Sequence, residues 1–386
     1  MRKVAVIGIG QTSVAENWDR SLRELVGDAI LSALQDAQLS TADAFFIGNM
    51  MSSAANNQQN IGAYIGDWVG ARGAEGMRIE SACSSGAAAF RAAVLAVASN
   101  EVNVAVAAAV EKMTDSPGAE TTAYLATAAD ADWESDLGVS FVALNALLMQ
   151  RYMHEYGWDH ASFANFSINA HHNAINNPNA MFHMNLSQDQ FDRSPMICDP
   201  ITLLDASPIG DGAAAAVIVP LEVMNGSVIN RPVVVAGSAA ASDTIAVHTR
   251  KDPLWLSAAE QSAKKAYSQA GIEPRDIDFF EYHDAFTIMA ALSLEACGFA
   301  NRGKGPSLAL ENAIGLEGQI PVATMGGLKA RGHPVGATGL YQLVEVVQQL
   351  RGQAGFNQVP DAKYGMAQNI GGSGSNIITH ILTNAA

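Results

Sequence analysis

Apolar and polar positions along the chain follow two alternating periods. Val4-Ala5-Val6-Ile7-Gly8 is a short β-branched run closed by glycine, the pattern of a buried strand. Leu22, Leu25, Val26, Ala29, Ile30, Ala33 and Leu34 then recur at helical spacing and predict a helix over Leu22–Ala37. Ala44–Ile47 is another apolar run, Ala87–Ala98 a small-residue helix, and Val102–Val110 a nearly all-apolar strand. Strands that are apolar on both faces and separated by helices need a sheet covered on both sides, which is the α/β class.

The second half repeats this scheme. Val233–Gly237 echoes the first strand, Leu254–Ala270 reads as a helix, and Ile277–Phe280 follows as a strand. The offset of about 230 residues is far longer than a solenoid period and predicts two duplicated halves, residues 1–228 and 229–386. Residues 115–200 differ from both. They are polar, rich in Met, His and Asn, and broken at Asn176–Asn179 and at Ser194-Pro195. They read as a loop domain inserted into the first half, large enough to cover a substrate site. Ala213–Val219 then returns to the first core.

Charge narrows the function classes. Lys and Arg number 22 against 38 Asp and Glu, a net charge of −16. That balance argues against nucleic acid and against anionic membrane surfaces, which need a basic footprint. No apolar run reaches the roughly 18 residues of a membrane span, and the short apolar start does not make a signal-peptide core. Three cysteines, Cys83, Cys198 and Cys297, are too sparse for a disulfide framework or a metal site, so a reducing, cytoplasmic setting is expected.

Three glycine-rich stretches carry candidate chemistry. In the first, Glu80-Ser81-Ala82-Cys83-Ser84-Ser85-Gly86 leads into a helix. A lone cysteine is commonly an inert small hydrophobe, the reading that suits Cys198 and Cys297. At a helix start, however, free N–H groups and the helix dipole favour a thiolate. In the second, Gly326–Gly339 surrounds His333 with glycines, and a cysteine with a distant histidine is a candidate nucleophile and base. The third, Gln368-Asn369-Ile370-Gly371-Gly372-Ser373-Gly374, is either a plain turn or a set of N–H groups facing an oxygen. His283-Asp284-Ala285-Phe286 follows a predicted strand, at the strand end where open α/β sheets place ligands.

Together Ser81-Ala82-Cys83, His283-Asp284-Ala285-Phe286, Gly332-His333-Pro334, Asn369-Ile370-Gly371 and Ile209–Ala215 resemble the thiolase superfamily. The likeness is greatest to archaeal acetoacetyl-CoA thiolases and sterol-carrier-protein-type thiolases, and it spans nearly the whole chain in order. It implies a duplicated five-layer αβαβα fold with an inserted loop domain. It implies a thiolase-type acyl-CoA C-acyltransferase, performing thiolysis or Claisen condensation through an acyl thioester on Cys83. His333 would take the thiol proton, and His283 would stand where ordinary thiolases have an oxyanion-hole asparagine. The backbone N–H groups of Cys83 and Gly371, with His333, would complete the oxyanion holes. A coenzyme A thioester is then substrate, with no permanent cofactor and no metal. The resemblance also implies a homodimer or homotetramer and a small partner protein with a zinc ribbon and an OB-type fold.

One departure matters. Ordinary thiolases carry a second cysteine where this chain has Asn369, and sterol-carrier-protein-type thiolases carry one where it has Ala285. Asparagine is no base at neutral pH. His283, a water it holds, or Tyr282 are candidates for the missing base, with Asp284 and Asn369 as accessory groups. The departure keeps open a thiolase-fold aldolase or lyase, a non-Claisen acyltransferase, or a subunit that passes acyl-CoA within a complex. Gly8-Ile9-Gly10 superficially resembles a dinucleotide loop but lacks the third glycine and the later acidic residue. His171, His172 and His183, and the acidic cluster Asp130–Asp136, lack metal-site spacing and read as ordinary surface or loop residues.

Overall fold

The structure, a computed structural model, describes residues 2–224 and 231–384. The expected boundary between residues 228 and 229 therefore lies outside the described residues. Strands β1 (Val4–Gln11), β2 (Ala44–Gly48), β3 (Glu75–Ile79), β4 (Ala105–Glu111) and β5 (Gly212–Pro220) belong to the first half. Strands β6 (Val233–Ser242), β7 (Phe279–Glu281), β8 (Tyr364–Gly371) and β9 (Asn376–Thr383) belong to the second. They form one nine-stranded sheet in the order β3-β2-β4-β5-β1-β6-β9-β8-β7.

The duplication is visible in that order. Outward from the β1–β6 seam the halves read β1, β5, β4, β2, β3 and β6, β9, β8, β7. Val322 then makes a single parallel bridge to Phe280 where a fifth strand would lie. Directions match too: β2 runs parallel to β4 as β7 does to β8, and the strands nearer the seam pair antiparallel. The seam itself is short, with Ala5 opposite Val234 and Val6 opposite Val233. Fully apolar strands occur because both faces are covered: every residue of β4 and β5 is buried.

Helices supply the layers. Helix α1 (Leu22–Asp36) buries its predicted stripe, and Glu24 accepts from the Ser21 backbone N–H at 2.8 Å to cap its start. It covers the outer face of the first half-sheet with α2 (Ile61–Trp68). Helices α3 (Ser85–Ala98) and α8 (Thr338–Arg351) lie side by side in the middle, each touching strands of both halves. Helices α6 (Ser257–Ala270) and α7 (Thr287–Ala296) cover the far side. Between β4 and β5 the chain makes α4 (Phe141–Tyr156), α5 (Ala164–Ala174) and a small hairpin, Met196–Cys198 with Ile201–Thr202. None of the described helices is long and apolar enough to cross a membrane.

Strand β1 runs past Gly8 and Gly10 to Gln11 and does not end in a glycine loop. A Cβ on Gly10 would lie 2.2 Å from the Ala29 carbonyl oxygen, so this glycine lets α1 press onto the strand. A similar close contact joins the central helices. A Cβ on Gly339 would lie 2.5 Å from the Ala87 nitrogen, and one on Gly86 2.8 Å from the Gly336 carbonyl oxygen. The first turns of α3 and α8 thus meet backbone to backbone.

Gly339→Val is expected to cost about 1–3 kcal/mol in denaturant unfolding, because no side chain can yield at a backbone contact. Gly66→Ala, inside α2 with open space around it, is the control and should be neutral or stabilising by up to ~1 kcal/mol.

Candidate active site

Cys83 follows β3 on a tight turn whose Ala82 sits at φ +49°, a strained position for a residue with a side chain. The turn is over-determined. Ser84 and Ser85 donate backbone N–H groups to Ser81 and Ala82 carbonyls, and Ala82 N–H reaches Glu80 Oε1 at 2.6 Å. The result is a half-buried Cys83 just before α3, facing a cavity of about 210 Å³. His283 and His333 line the same cavity, with Phe141, Met289, Val335 and Ile370 supplying apolar walls. Among the described lining residues there is no lysine or arginine.

The thiol differs electrostatically from the expectation for a helix start. Backbone N–H groups of Cys83 and Gly372 do face the sulfur and favour the thiolate. Desolvation in the apolar cavity, with the carboxylates of Glu111 and Glu80, outweighs them and pushes the thiol up to about 12. Glu111 is itself buried at the end of β4, and burial raises it to about 8 although Met50 and Met51 N–H groups point at it. A resting Cys83 is protonated and needs a base.

His333 lines the same cavity. His333 follows the irregular turn Gly327–Arg331, and its Nδ1 lies 2.7 Å from Thr338 Oγ1 on the first turn of α8. The Thr338 hydroxyl points its own hydrogen at the Pro334 carbonyl, 3.4 Å away. With the Thr338 hydroxyl directed at Pro334, the tautomer that matches has the proton on His333 Nδ1 and the lone pair on Nε2. The His283 ring stands edge-on to it, centroids 5.1 Å apart. Burial lowers His283 to about 3, and Arg331 adds to the effect. Burial, His283 and Arg331 together hold His333 well below its usual value. Arg331 is fully buried, paired with Glu345 at 2.9 Å and laid over the Tyr341 ring at 4.9 Å.

The other expected residues fall as follows. Asn369 Nδ2 donates to His283 Nδ1 at 3.1 Å. Asp284 lies behind the cavity, where Oδ1 accepts the Leu328 N–H at 2.8 Å and burial raises its carboxyl. Gly371 packs against the nucleophile turn, its Cβ position 2.6 Å from the Ser81 carbonyl oxygen, while the N–H at the sulfur is that of the next residue, Gly372. Tyr282 is in the second-half core and not in the cavity, with its hydroxyl buried and unpaired. Cys297 is buried against Gln368, its thiol 3.3 Å from Oε1, and Cys198 sits in the small hairpin. No group of three or more His, Cys, Asp or Glu is placed to hold a metal among the described residues. His171 stacks on Phe182, His183 bonds the Asn177 carbonyl, and Asp130 caps a turn at Trp133.

Sequence reasoning named Gly372 only as one of several glycines, and missed Thr338, Arg331 and Gln342. All four stand inside or beside the glycine-rich stretches, and only the fold reveals their partners. Phe141 and Met289 lie outside those stretches, on helices with no distinguishing pattern.

A thiol, a free imidazole acceptor and backbone donors in one apolar cavity, on a duplicated α/β frame, define an enzyme that transfers acyl groups through cysteine. Family models agree: "Thiolase, N-terminal domain" matches residues 4–222 and "Thiolase C-terminal domain-like" matches residues 239–384. The chain belongs to the thiolase family. It is 43% identical to the "Acetyl-CoA acetyltransferase" of Methanothermobacter thermautotrophicus, over 99% of this chain and 100% of that protein. It is 29% identical to human "Sterol carrier protein 2", over 98% of this chain and 72% of that protein. Among solved structures, the "Ltp2-ChsH2(DUF35) aldolase" superposes with a TM-score of 0.86 at 24% identity, covering 99% of this chain and 97% of that one, a likeness of fold.

Alkylation of Cys83 by iodoacetamide should keep accelerating from about pH 7 to about pH 10, without the plateau of a thiol titrating near 7. Mass spectrometry of the modified peptide against time at each pH reads this out.

Proposed function

We propose that the chain is a thiolase-type acyl-CoA C-acyltransferase, acting on acetoacetyl-CoA or another 3-ketoacyl-CoA by way of an acyl-Cys83 thioester. The observation that carries this is the meeting of Cys83, His333 and His283 in one apolar cavity with complementary hydrogen-bonding states. Cys83 Sγ attacks the thioester carbonyl while its proton passes to His333 Nε2. The tetrahedral oxyanion is held by the backbone N–H groups of Cys83 and the Gly371–Gly372 turn, and by the Nε2–H of His283. Coenzyme A leaves as a thiolate and takes the proton from His333.

In the second half-reaction an acetyl-CoA loses an α-proton, its carbanion attacks the acyl carbonyl, and Cys83 departs as thiolate and is reprotonated. The base for the α-proton is His333. His283, the sequence-based candidate, accepts a hydrogen bond at Nδ1 and so presents a proton, not a lone pair, at Nε2. Tyr282 lies outside the cavity. A second reading, carbon–carbon cleavage of the aldolase kind or acyl transfer without condensation, is favoured by the absence of a second cysteine from the cavity lining.

The three cysteines are unpaired, which supports a cytoplasmic setting. Strand β3 leaves Glu75, Gly76 and Met77 exposed at one end of the sheet, which supports edge-to-edge pairing in a homodimer or homotetramer. The DUF35 component of the aldolase neighbour supports a small zinc-ribbon/OB-type partner here.

Mixed with acetyl-CoA, the protein should gain an acetyl adduct on Cys83 by mass spectrometry. Cys83→Ala should lose it, while Cys198→Ser and Cys297→Ser keep both adduct and turnover. His333→Ala should slow acylation by about 10²–10⁴-fold. His283→Ala should slow acylation as well; a variant that acylates normally and fails only in condensation would make His283 the second base instead.

A further inference from the structure

Gln342 lies one turn beyond Thr338 on α8, so the two side chains share a helix face. Its Nε2 is hemmed by three backbone carbonyls, those of Tyr282 at 2.7 Å and of Glu281 and Gln368 at 3.2 Å each. Carbonyl oxygens only accept, so the amide cannot be turned round. Its Oε1 must then face Asn369, and it lies 2.7 Å from Asn369 Nδ2. An oxygen of Asn369 in that place would oppose another oxygen, so Nδ2 is fixed there too. The second N–H of Asn369 goes to His283 Nδ1, 3.1 Å away, and Asn369 Oδ1 is left buried without a partner.

We infer that Gln342 is a positioning residue that, through Asn369, locks His283 in the tautomer with a bare Nδ1 and a proton on Nε2. The chain of constraint starts at carbonyls of the β7 end and β8 and finishes at the cavity. Thr338, four residues earlier, sets His333 the opposite way, with the proton on Nδ1 and a bare Nε2. One face of α8 therefore makes one cavity histidine a donor and the other an acceptor. A purely structural glutamine would not need its neighbour to leave a buried oxygen unpaired; here that oxygen is the remainder of an amide whose two N–H groups are both committed.

The kinetic arm of the test rests on the acyltransferase reading; the spectroscopic arm does not. In full-length protein labelled with ¹⁵N-histidine, long-range ring ¹H–¹⁵N correlations report the tautomer, with the His283 signals assigned by their loss in His283→Gln. Wild-type protein should show His283 protonated at Nε2 and bare at Nδ1 from about pH 5 to about pH 8. Gln342→Met, which keeps the volume and removes both amide functions, should give a mixture of tautomers. It should also slow acetylation of Cys83 by at least about tenfold, and by no more than the roughly 10²–10³-fold loss of a whole oxyanion donor, with the KM for acetyl-CoA within about twofold. A wild-type His283 protonated at Nδ1 overturns the inference without any variant. So does Gln342→Met that keeps the single tautomer or the wild-type acetylation rate. Failure of the wild-type protein to form any acetyl adduct would overturn the acyltransferase reading and leave the tautomer assignment standing on the spectra.

Discussion

Two helix starts touch backbone to backbone at Gly86 and Gly339, and the turns just ahead of them carry Cys83 and His333 to the cavity wall. The turn bearing Cys83 enters α3 just before Gly86, and the loop bearing His333 enters α8 just before Gly339. Each half of the duplicated fold contributes one helix to the central layer, so each contributes one reacting group. The duplication is thus functional as well as architectural: neither half alone assembles a thiol opposite a base.

Behind that contact lies a buried cation. Arg331 sits between the two histidines and the acidic residues Glu281 and Glu345, and its charge opposes protonation of both imidazoles. Glu345 pairs with it at 2.9 Å. With the imidazoles neutral, each ring has one donor and one acceptor nitrogen, and hydrogen bonding decides which faces substrate. The helix α8 makes that decision for both rings.

Much of this was legible in the sequence. Periodicity located β1, β2, β4 to β7, α1, α3 and α6 to within a few residues, because strands covered on both faces are apolar throughout and α1 shows a clean stripe; it did not mark β3, β8, β9 or α2. At the start of β4 the reading runs long: the strand begins at Ala105, although the Val104 carbonyl already accepts from the Asp43 N–H. The motifs placed Cys83, His283, His333 and Asn369 in one neighbourhood. Protonation states were out of reach. A helix start argued for a thiolate, and only the burial of Cys83 beside Glu111 reverses that. A histidine at a strand end reads as a base, and the Asn369 amide 3.1 Å from its Nδ1 is a contact that no local pattern foretells. Such properties arise from contacts between residues distant in sequence, which no local pattern encodes.

The protonated state of Cys83 has a consequence for survival in an oxidising moment. Peroxide and disulfides react with thiolates, and sulfenic acid formation tracks thiolate character and exposure. Enzymes that store their cysteine as a thiolate–imidazolium pair hold a reactive nucleophile between turnovers. Here desolvation in the apolar cavity keeps the sulfur protonated, and His333 is held well below its usual basicity. The thiolate comes into being only as it attacks. The same desolvation that makes the nucleophile dependent on its base also lowers its reactivity toward oxidants.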